Sequence, residues 1–305
     1  MIRNPIPWPN GARCAAAITF DMDADSTLHL NFPDTADTKL CATTMMRYDA
    51  DVAVPRIAQV FKEFDLRQTF FIPGWCVENY ADAIRILVDD GHEIAHHGYL
   101  HEKSNLLSAE EEIRALRLGV EAIYNATGQR PSGYRAPSYA FSKYTLDYLV
   151  DEGFDYESSL LGSDIPYMIE GRKGALVEIP IDTTMDDWTQ YMCFKDFGYM
   201  LPIASPTRAM EVFRAEFDAA WKHGGMWMAV WHPFVSGRLA RCDAMVELIE
   251  YMRGKGGVWF ATTDEISKHV RKSIAEGIWK PRVDKLPFYD SPIQAVHRLR
   301  GVAAE

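Results

Sequence analysis

The sequence has 305 residues, of which 48% are hydrophobic, 25% charged and 12% aromatic. Its 32 basic and 43 acidic residues leave a formal net charge of −11 with no run of Lys or Arg, which argues against nucleic acid or an anionic membrane as partner, since both attract a clustered basic surface. A chain of this length buries roughly 75% of its unfolded surface as one domain, so core size sets no obstacle to a stable enzyme.

Short apolar or β-branched runs alternate with longer amphipathic stretches, the pattern of an α/β fold with a mainly parallel sheet. In chain order the predicted elements are a strand at Ala15–Phe20, a helix at Ala53–Phe64, a strand at Gln68–Ile72, a helix at Ala81–Asp89 and a strand at Glu93–His96. A helix at Ala109–Thr127, a strand at Gly133–Arg135, a helix at Lys143–Glu152 and a strand at Val177–Ile181 follow. The remainder reads as a helix at Thr207–Lys222, a strand at Trp227–His232, a helix at Ala244–Lys255 and a strand at Val258–Ala261. Ser108 followed by Glu111 is a capping-box signature for helix 109–127, in which Ile113, Leu116, Val120 and Ile123 recur at helical spacing. Segment 23–51 and the Pro-rich, charged tail after Lys272 lack apolar periodicity and read as surface loops or oligomer contacts. No linker or repeat interrupts the alternation, so 1–305 reads as a single domain with its core over about 12–270 and a C-terminal extension over about 273–305.

Chemistry concentrates in five places. Four of nine histidines (His92, His96, His97, His101) fall in GHEIAHHGYLHE, beside a short strand, and the spacing His97-x3-His101 lets two imidazoles converge on one ion. The carboxylates of Phe20-Asp21-Met22-Asp23-Ala24-Asp25 leave the first strand, where acids are costly unless solvated, paired or bound to a cation. In extended chain Asp21 and Asp23 point the same way, so one can bind a metal while the other faces water. Gly133-Tyr134-Arg135-Ala136-Pro137-Ser138-Tyr139 brings an arginine to another strand end, able to hold a buried aspartate ionised. The strand Trp227–Trp231 ends in His232-Pro233, a candidate general acid, and one of Asp186 and Asp187, before Trp188, can orient its imidazole.

Taken together, these motifs resemble the polysaccharide deacetylase family, also called NodB-homology or carbohydrate esterase 4. The resemblance rests on Asp21 and Asp23, His97 and His101, Arg135 and Pro137, Asp187 and Trp188, and His232 and Pro233, in the family's order and each beside a predicted strand. It implies a deformed (β/α)7 barrel. It implies too that Asp23, His97 and His101 hold a divalent metal, zinc first among Zn, Mn, Co, Fe and Ni, and that Asp21 is the general base, steadied by Arg135. His232 becomes the general acid oriented by Asp187, the Ser138 amide completes an oxyanion hole, and Tyr139 and Trp188 face the substrate. Two features depart from the sugar-specific pattern: TFDMD replaces TFDDG, and Gly98 follows His97 where Ser or Thr is usual. With the opening Trp8-Pro9-Asn10-Gly11, these resemble the branch of peptidoglycan deacetylase-like proteins, allantoinase-type ureide hydrolases and cyclic imide hydrolases.

The expected activity is therefore hydrolysis of a non-peptide C–N bond in a small cyclic or linear amide, imide or ureide. Alternatives are N-deacetylation of peptidoglycan or chito-oligosaccharide and, from another class, a non-catalytic ligand-binding barrel. Trp75, Trp188, Trp231 and Tyr139, near motif ends, are candidates to line the pocket. The N-terminal MIRNPIPWPNGARC lacks the continuous apolar run of about 7–15 residues that a secretion signal needs. Five widely spaced cysteines without a CxxC pair fit a reducing compartment. The expectations are a cytoplasmic protein, a small-molecule substrate, no nucleic-acid or membrane partner and, by the resemblance, a homo-oligomer, with a tetramer favoured.

Overall fold

The computed structural model describes residues 1–289 together with 291, 293 and 295; the remaining positions of the extension expected over 273–305 lie outside the described residues. Twelve strands occur among the described residues: β1 (Cys14–Asp21), β2 (Thr69–Ile72), β3 (Glu93–His96), β4 (Gly133–Tyr134), β5 (Tyr156–Glu157) and β6 (Tyr167–Glu170), then β7 (Ala175–Glu178), β8 (Cys193–Phe194), β9 (Tyr199–Met200), β10 (Met226–Trp231), β11 (Val258–Phe260) and β12 (Val283–Lys285). The order β10-β1-β2-β3-β4-β5-β7 is parallel throughout, and an isolated parallel bridge between Asp186 and Val230 ties the chain after β7 back to β10. Seven strands thus close a ring, the deformed α/β barrel expected from the sequence.

One member of the ring differs from expectation. β5 has two residues, too few for a periodic signal, whereas the predicted strand at 258–261 pairs only with Cys14–Ala16 of β1 and lies off the ring. β6 and β12 extend the sheet beyond β7, β6 antiparallel to it, so part of the tail expected as loop is strand.

β1 shows why the barrel has two cores. Its eight residues are all buried, and side chains alternate between faces. Ala15 and Ala17 join Phe71, Tyr156, Val177, Ile179 and Met228 inside the barrel, while Ala16, Ile18 and Phe20 join the apolar faces of the surrounding helices. The same parity places Thr19 and Asp21 on the inner side. Phe20 and Trp231, both fully buried in the outer layer, contribute roughly 1.5–3 kcal/mol each at ordinary aromatic burial.

Segment 23–51 folds into short helices at Ser26–Asn31 and Leu40–Tyr48, with Leu28, Ala36 and Ala42 packed against Phe32, Phe194 and Phe197. This small core joins the β8–β9 hairpin to the first loop and builds a wall beside the strand ends. Among the described residues all five cysteines are free, and no helix is long and apolar enough to cross a membrane.

Candidate active site

The loops after β1, β3, β4, β7 and β10 bring their side chains to one cavity of about 720 Å³, a size ordinary for small ligands. Asp21, Asp23, His97, His101, Ser138, Tyr139, Asp186, Trp188 and His232 all line it. A second cavity of about 520 Å³, beside Leu161–Asp164 and the start of β10, gathers no comparable histidine–carboxylate cluster among the described residues.

Arg135 organises the base of the site. It is completely buried, stacks over Phe71 at 3.9 Å, and its guanidinium donates to Asp21 Oδ1 at 2.6 Å and Thr19 Oγ1 at 2.9 Å. Nε donates to the Ser158 carbonyl at 3.0 Å, so the guanidinium plane is fixed from the β5 side. Such a pair costs several kcal/mol if one partner is removed, because it leaves a buried charge alone. Thr19 and Ser158 were invisible to motif reasoning, because their role depends on strand neighbours far apart in sequence.

Around Asp23 the geometry fits a metal. His97 Nε2 lies 3.5 Å from Asp23 Oδ1 and His101 Nε2 lies 3.3 Å from Oδ2. One ligand atom from each of the three residues lies within 4.8 Å of the others, close enough to converge on one ion. Asp23 Oδ1 is buried without a hydrogen-bond donor, a costly state that a cation relieves. His97 Nδ1 bonds the Arg135 carbonyl at 2.8 Å, which makes Nδ1 the protonated nitrogen and leaves Nε2 a lone pair. Burial raises the Asp23 carboxyl, but the imidazoles of His101, His97 and His232 outweigh it and hold it below the usual carboxylate range.

The turn carrying the two histidines is locked locally. Glu102 accepts from the N–H groups of Tyr99 and Leu100 at 2.8 and 2.6 Å. Gly98 has φ of +73°, and a Cβ there would meet Glu102 and the Pro137 ring, which explains a glycine at this position. The remaining two histidines of the cluster serve the fold: His96 bonds the Leu116 carbonyl at 2.9 Å and His92 accepts from the Gln68 N–H at 3.1 Å. Burial pushes them down to about 3 and about 4 respectively, so both are neutral.

His232 stands on the other flank, its Nε2 3.7 Å from Asp23 Oδ2. Its Nδ1 bonds Asp187 Oδ1 at 2.7 Å, while Asp187 Oδ2 accepts from the His232 N–H at 3.0 Å and the Ser236 hydroxyl at 2.6 Å. Asp186 is 4.0 Å from the ring and instead accepts from Tyr139 Oη at 2.6 Å and the Trp188 N–H at 2.8 Å. Of the two candidates, Asp187 therefore orients the imidazole. Burial works against the imidazolium, but the Asp187 carboxylate, with Asp23 and Asp186, raises His232 well above its ordinary range. Ser138 and Tyr139 both have positive φ, +53° and +56°, a strained conformation of the kind that collects at functional sites.

Two expected wall residues point elsewhere. Trp231 is fully buried against Phe20, Phe213 and Trp227, because strand alternation sends it outward under the helices, and Trp75 packs on His29 and Tyr80. In their place Asn31, Phe32, Leu106, Phe197 and Tyr199 complete the cavity from the ends of short elements and the turns beside them, too short to carry a periodic signal.

Comparison with known proteins finds relatives of the same fold. A family model described as polysaccharide deacetylase matches residues 15–156. The peptidoglycan deacetylase of Helicobacter pylori is 31% identical over 248 residues, covering 72% of this chain and 84% of the relative. A peptidoglycan deacetylase-like protein of Gibberella zeae is 25% identical over 252 residues, covering 71% and 75%. Among solved structures, a Mycobacterium smegmatis chain carrying the polysaccharide deacetylase name superposes with a TM-score of 0.87 at 38% identity, covering 95% of this chain and 99% of that one. The PuuE allantoinase has a TM-score of 0.77 at 23% identity, over 89% and 95%, and shares the fold. With a homologue above 30% identity aligned over most of its length, the chain belongs to the polysaccharide deacetylase family and is a hydrolase of C–N bonds.

Proposed function

We propose that the chain is a metal-dependent N-deacetylase acting on an N-acetylated amino sugar of the peptidoglycan type. The observation that carries this reading is the placement of two proton-handling groups, Asp21 held by Arg135 and His232 held by Asp187, on either flank of Asp23, His97 and His101. The similarity to the Helicobacter pylori peptidoglycan deacetylase favours the sugar amide over the small amide, imide or ureide expected from the motif departures.

Asp23, His97 and His101 would hold the metal, with zinc the first candidate. When bound there, a divalent cation supplies Lewis acidity, polarising the substrate carbonyl and lowering the pKa of water from 15.7 to about 7. Asp21 presents Oδ2 to the cavity while Arg135 occupies Oδ1, so its free oxygen takes the proton of the attacking water. The Ser138 N–H donates to the oxygen that gains charge as the carbonyl becomes tetrahedral. His232 gives its proton to the departing nitrogen, which leaves poorly as an anion; acid catalysis of this kind is worth about 10²–10⁴. Tyr139 and Trp188 border the acyl and ring portions of the substrate.

The second reading, a small cyclic or linear amide, imide or ureide, is favoured by the walls that Phe32, Leu106, Phe197 and Tyr199 raise around the site. Under either reading we infer a cytoplasmic homo-oligomer, and the deacetylase reading then takes a cytoplasmic peptidoglycan precursor as its substrate. Incubation with N-acetylglucosamine and peptidoglycan oligomers, beside hydantoin, succinimide and allantoin, tests the choice. Acetate release from the oligomers is expected; ring opening without acetate overturns the deacetylase reading in favour of the second.

A further inference from the structure

A buried carboxylate between the helices Leu40–Tyr48 and Val54–Glu63 takes no part in the chemistry above. Asp49 is 0% exposed, does not line the cavity, and begins the π-helical turn Asp49–Ala53. Its two oxygens serve different loops. Oδ2 accepts from the Ala24 N–H at 2.7 Å and Oδ1 accepts from the Phe234 N–H at 2.7 Å. Ala24 follows Asp23, and Phe234 lies two residues past His232.

Each contact bears on a group that must be placed accurately. The Ala24 N–H and the Asp23 carbonyl belong to one peptide unit, and the carbonyl end is held by Ser26 Oγ at 2.6 Å and Cys76 Sγ at 3.0 Å. Asp49 holds the other end, so the peptide plane beyond Asp23 is pinned on both sides. That plane carries Ala24 at φ +42°, a conformation that side chains other than glycine rarely adopt without constraint. On the His232 side, Pro233 has no N–H, so the Phe234 amide is the first donor of the short helix Pro233–Ser236. The same segments meet again where Arg56 donates to the Gly237 carbonyl at 2.5 Å. An apolar residue at 49 would leave two buried N–H groups without acceptors.

We propose that Asp49 is a positioning residue that fixes the Asp23 carboxylate and the His232 imidazole relative to one another. The inference rests on the reading of Asp23 as metal ligand and His232 as acid. Asp49 touches neither metal nor substrate; it sets the distance between the two loops that do.

Asp49→Asn keeps the shape but turns one acceptor into a donor facing an N–H. In the full-length chain its zinc affinity, read by competition with a chromogenic chelator, and its kcat on N-acetylglucosamine oligomers are expected to fall about tenfold or more, with KM within about twofold. Thermal melts give the folded fraction, and both losses are counted per folded molecule. A fall of about fivefold or more in either quantity upholds the clamp, and smaller changes in both overturn it. Adding Ala24→Gly supplies a residue that reaches positive φ unaided. Recovered zinc affinity in the double variant supports the pinning of Ala24, and a double variant no better than Asp49→Asn overturns it. The zinc arm needs no substrate, so wild-type protein that binds zinc without deacetylating oligomers sinks the substrate reading and leaves Asp49 to be judged on affinity alone.

Discussion

His97 and His232 each spend one ring nitrogen on a partner inside the protein and turn the other toward the cavity. Their partners differ, and the difference separates their expected jobs. His97 bonds a neutral carbonyl, that of Arg135, which orients the ring without favouring a proton on Nε2. His232 bonds the Asp187 carboxylate, which favours imidazolium. His232→Ala is therefore expected to retain bound metal while turnover falls about 10²–10⁴-fold. His97→Ala should lose metal and turnover together. Elemental analysis beside a deacetylation assay separates the cases, and a fully active His232→Ala variant rejects the acid assignment. At this scale much was legible in the sequence, because a metal and two proton carriers demand particular residue types at particular spacings. Asp21, Asp23, His97, His101, Arg135, Asp187 and His232 stood out on that ground, and they meet in one cavity or just behind it. The choice of Asp187 over Asp186 came from the family resemblance alone, since adjacent residues share every residue-type and spacing signal and differ only in direction. Asp49 was hidden for another reason: its partners are backbone amides, which leave no mark on the sequence.

The helix Ala109–Thr127 carries a cost that its own sequence does not explain. Gly119 sits in its middle, where glycine is about 1 kcal/mol worse than alanine. A Cβ at 119 would lie 2.2 Å from His96 Nε2 and 2.8 Å from the Gly98 carbonyl. Close approach of helix to strand end, and so the placement of the His97–His101 turn, depends on that missing atom. Gly119→Ala should gain helix propensity yet lose more to the clash, for a net destabilisation of about 1–3 kcal/mol, and kcat should fall because the displaced residues border His97. Thr262→Ala provides the comparison. It removes the capping box of the helix Thr263–Ala275, far from the cavity, and should cost about 1 kcal/mol with kcat unchanged. Urea denaturation and kinetics on both variants test the contrast; a Gly119→Ala protein as stable and active as wild type would show that the helix can simply move. Strongly periodic elements such as this helix were readable, and its capping box forms as the sequence indicated. β5, with only two residues, holds the ring through its neighbours rather than through a pattern of its own. The same holds for much of the cavity wall, whose residues come from short elements and turns rather than from long periodic ones.

Across the whole molecule, the two-core barrel traps one polar pair that a parity argument could anticipate only in part. Val177, Ile179 and Tyr156 face the barrel interior, so Glu178 and Glu157, register partners on β7 and β5, face the helix side. Both are completely buried, near Tyr134 and Tyr167, with the Arg135 guanidinium behind them. Glu178 Oε1 accepts from the Leu160 N–H at 3.0 Å, while Oε2 and both Glu157 oxygens have no other partner. Desolvation raises both groups above the ordinary 4.5; the Glu157 charge pushes Glu178 up further, while a hydrogen bond from Glu178 holds Glu157 down, so the pair shares a proton. In the unfolded chain both glutamates release their protons near the ordinary value. The folded protein binds more protons above that point, so this contribution is fully present below about 4.5 and is lost as pH rises through the raised folded values, at about 1.4 kcal/mol per pKa unit. Glu178→Gln replaces the shared proton with a permanent N–H donor to Glu157. Its melting temperature should decline less than that of wild type between about pH 5 and 8, over the same buffers and salt. Parallel curves for the two proteins would show that Glu157 and Glu178 ionise independently, and the shared proton would have to be abandoned.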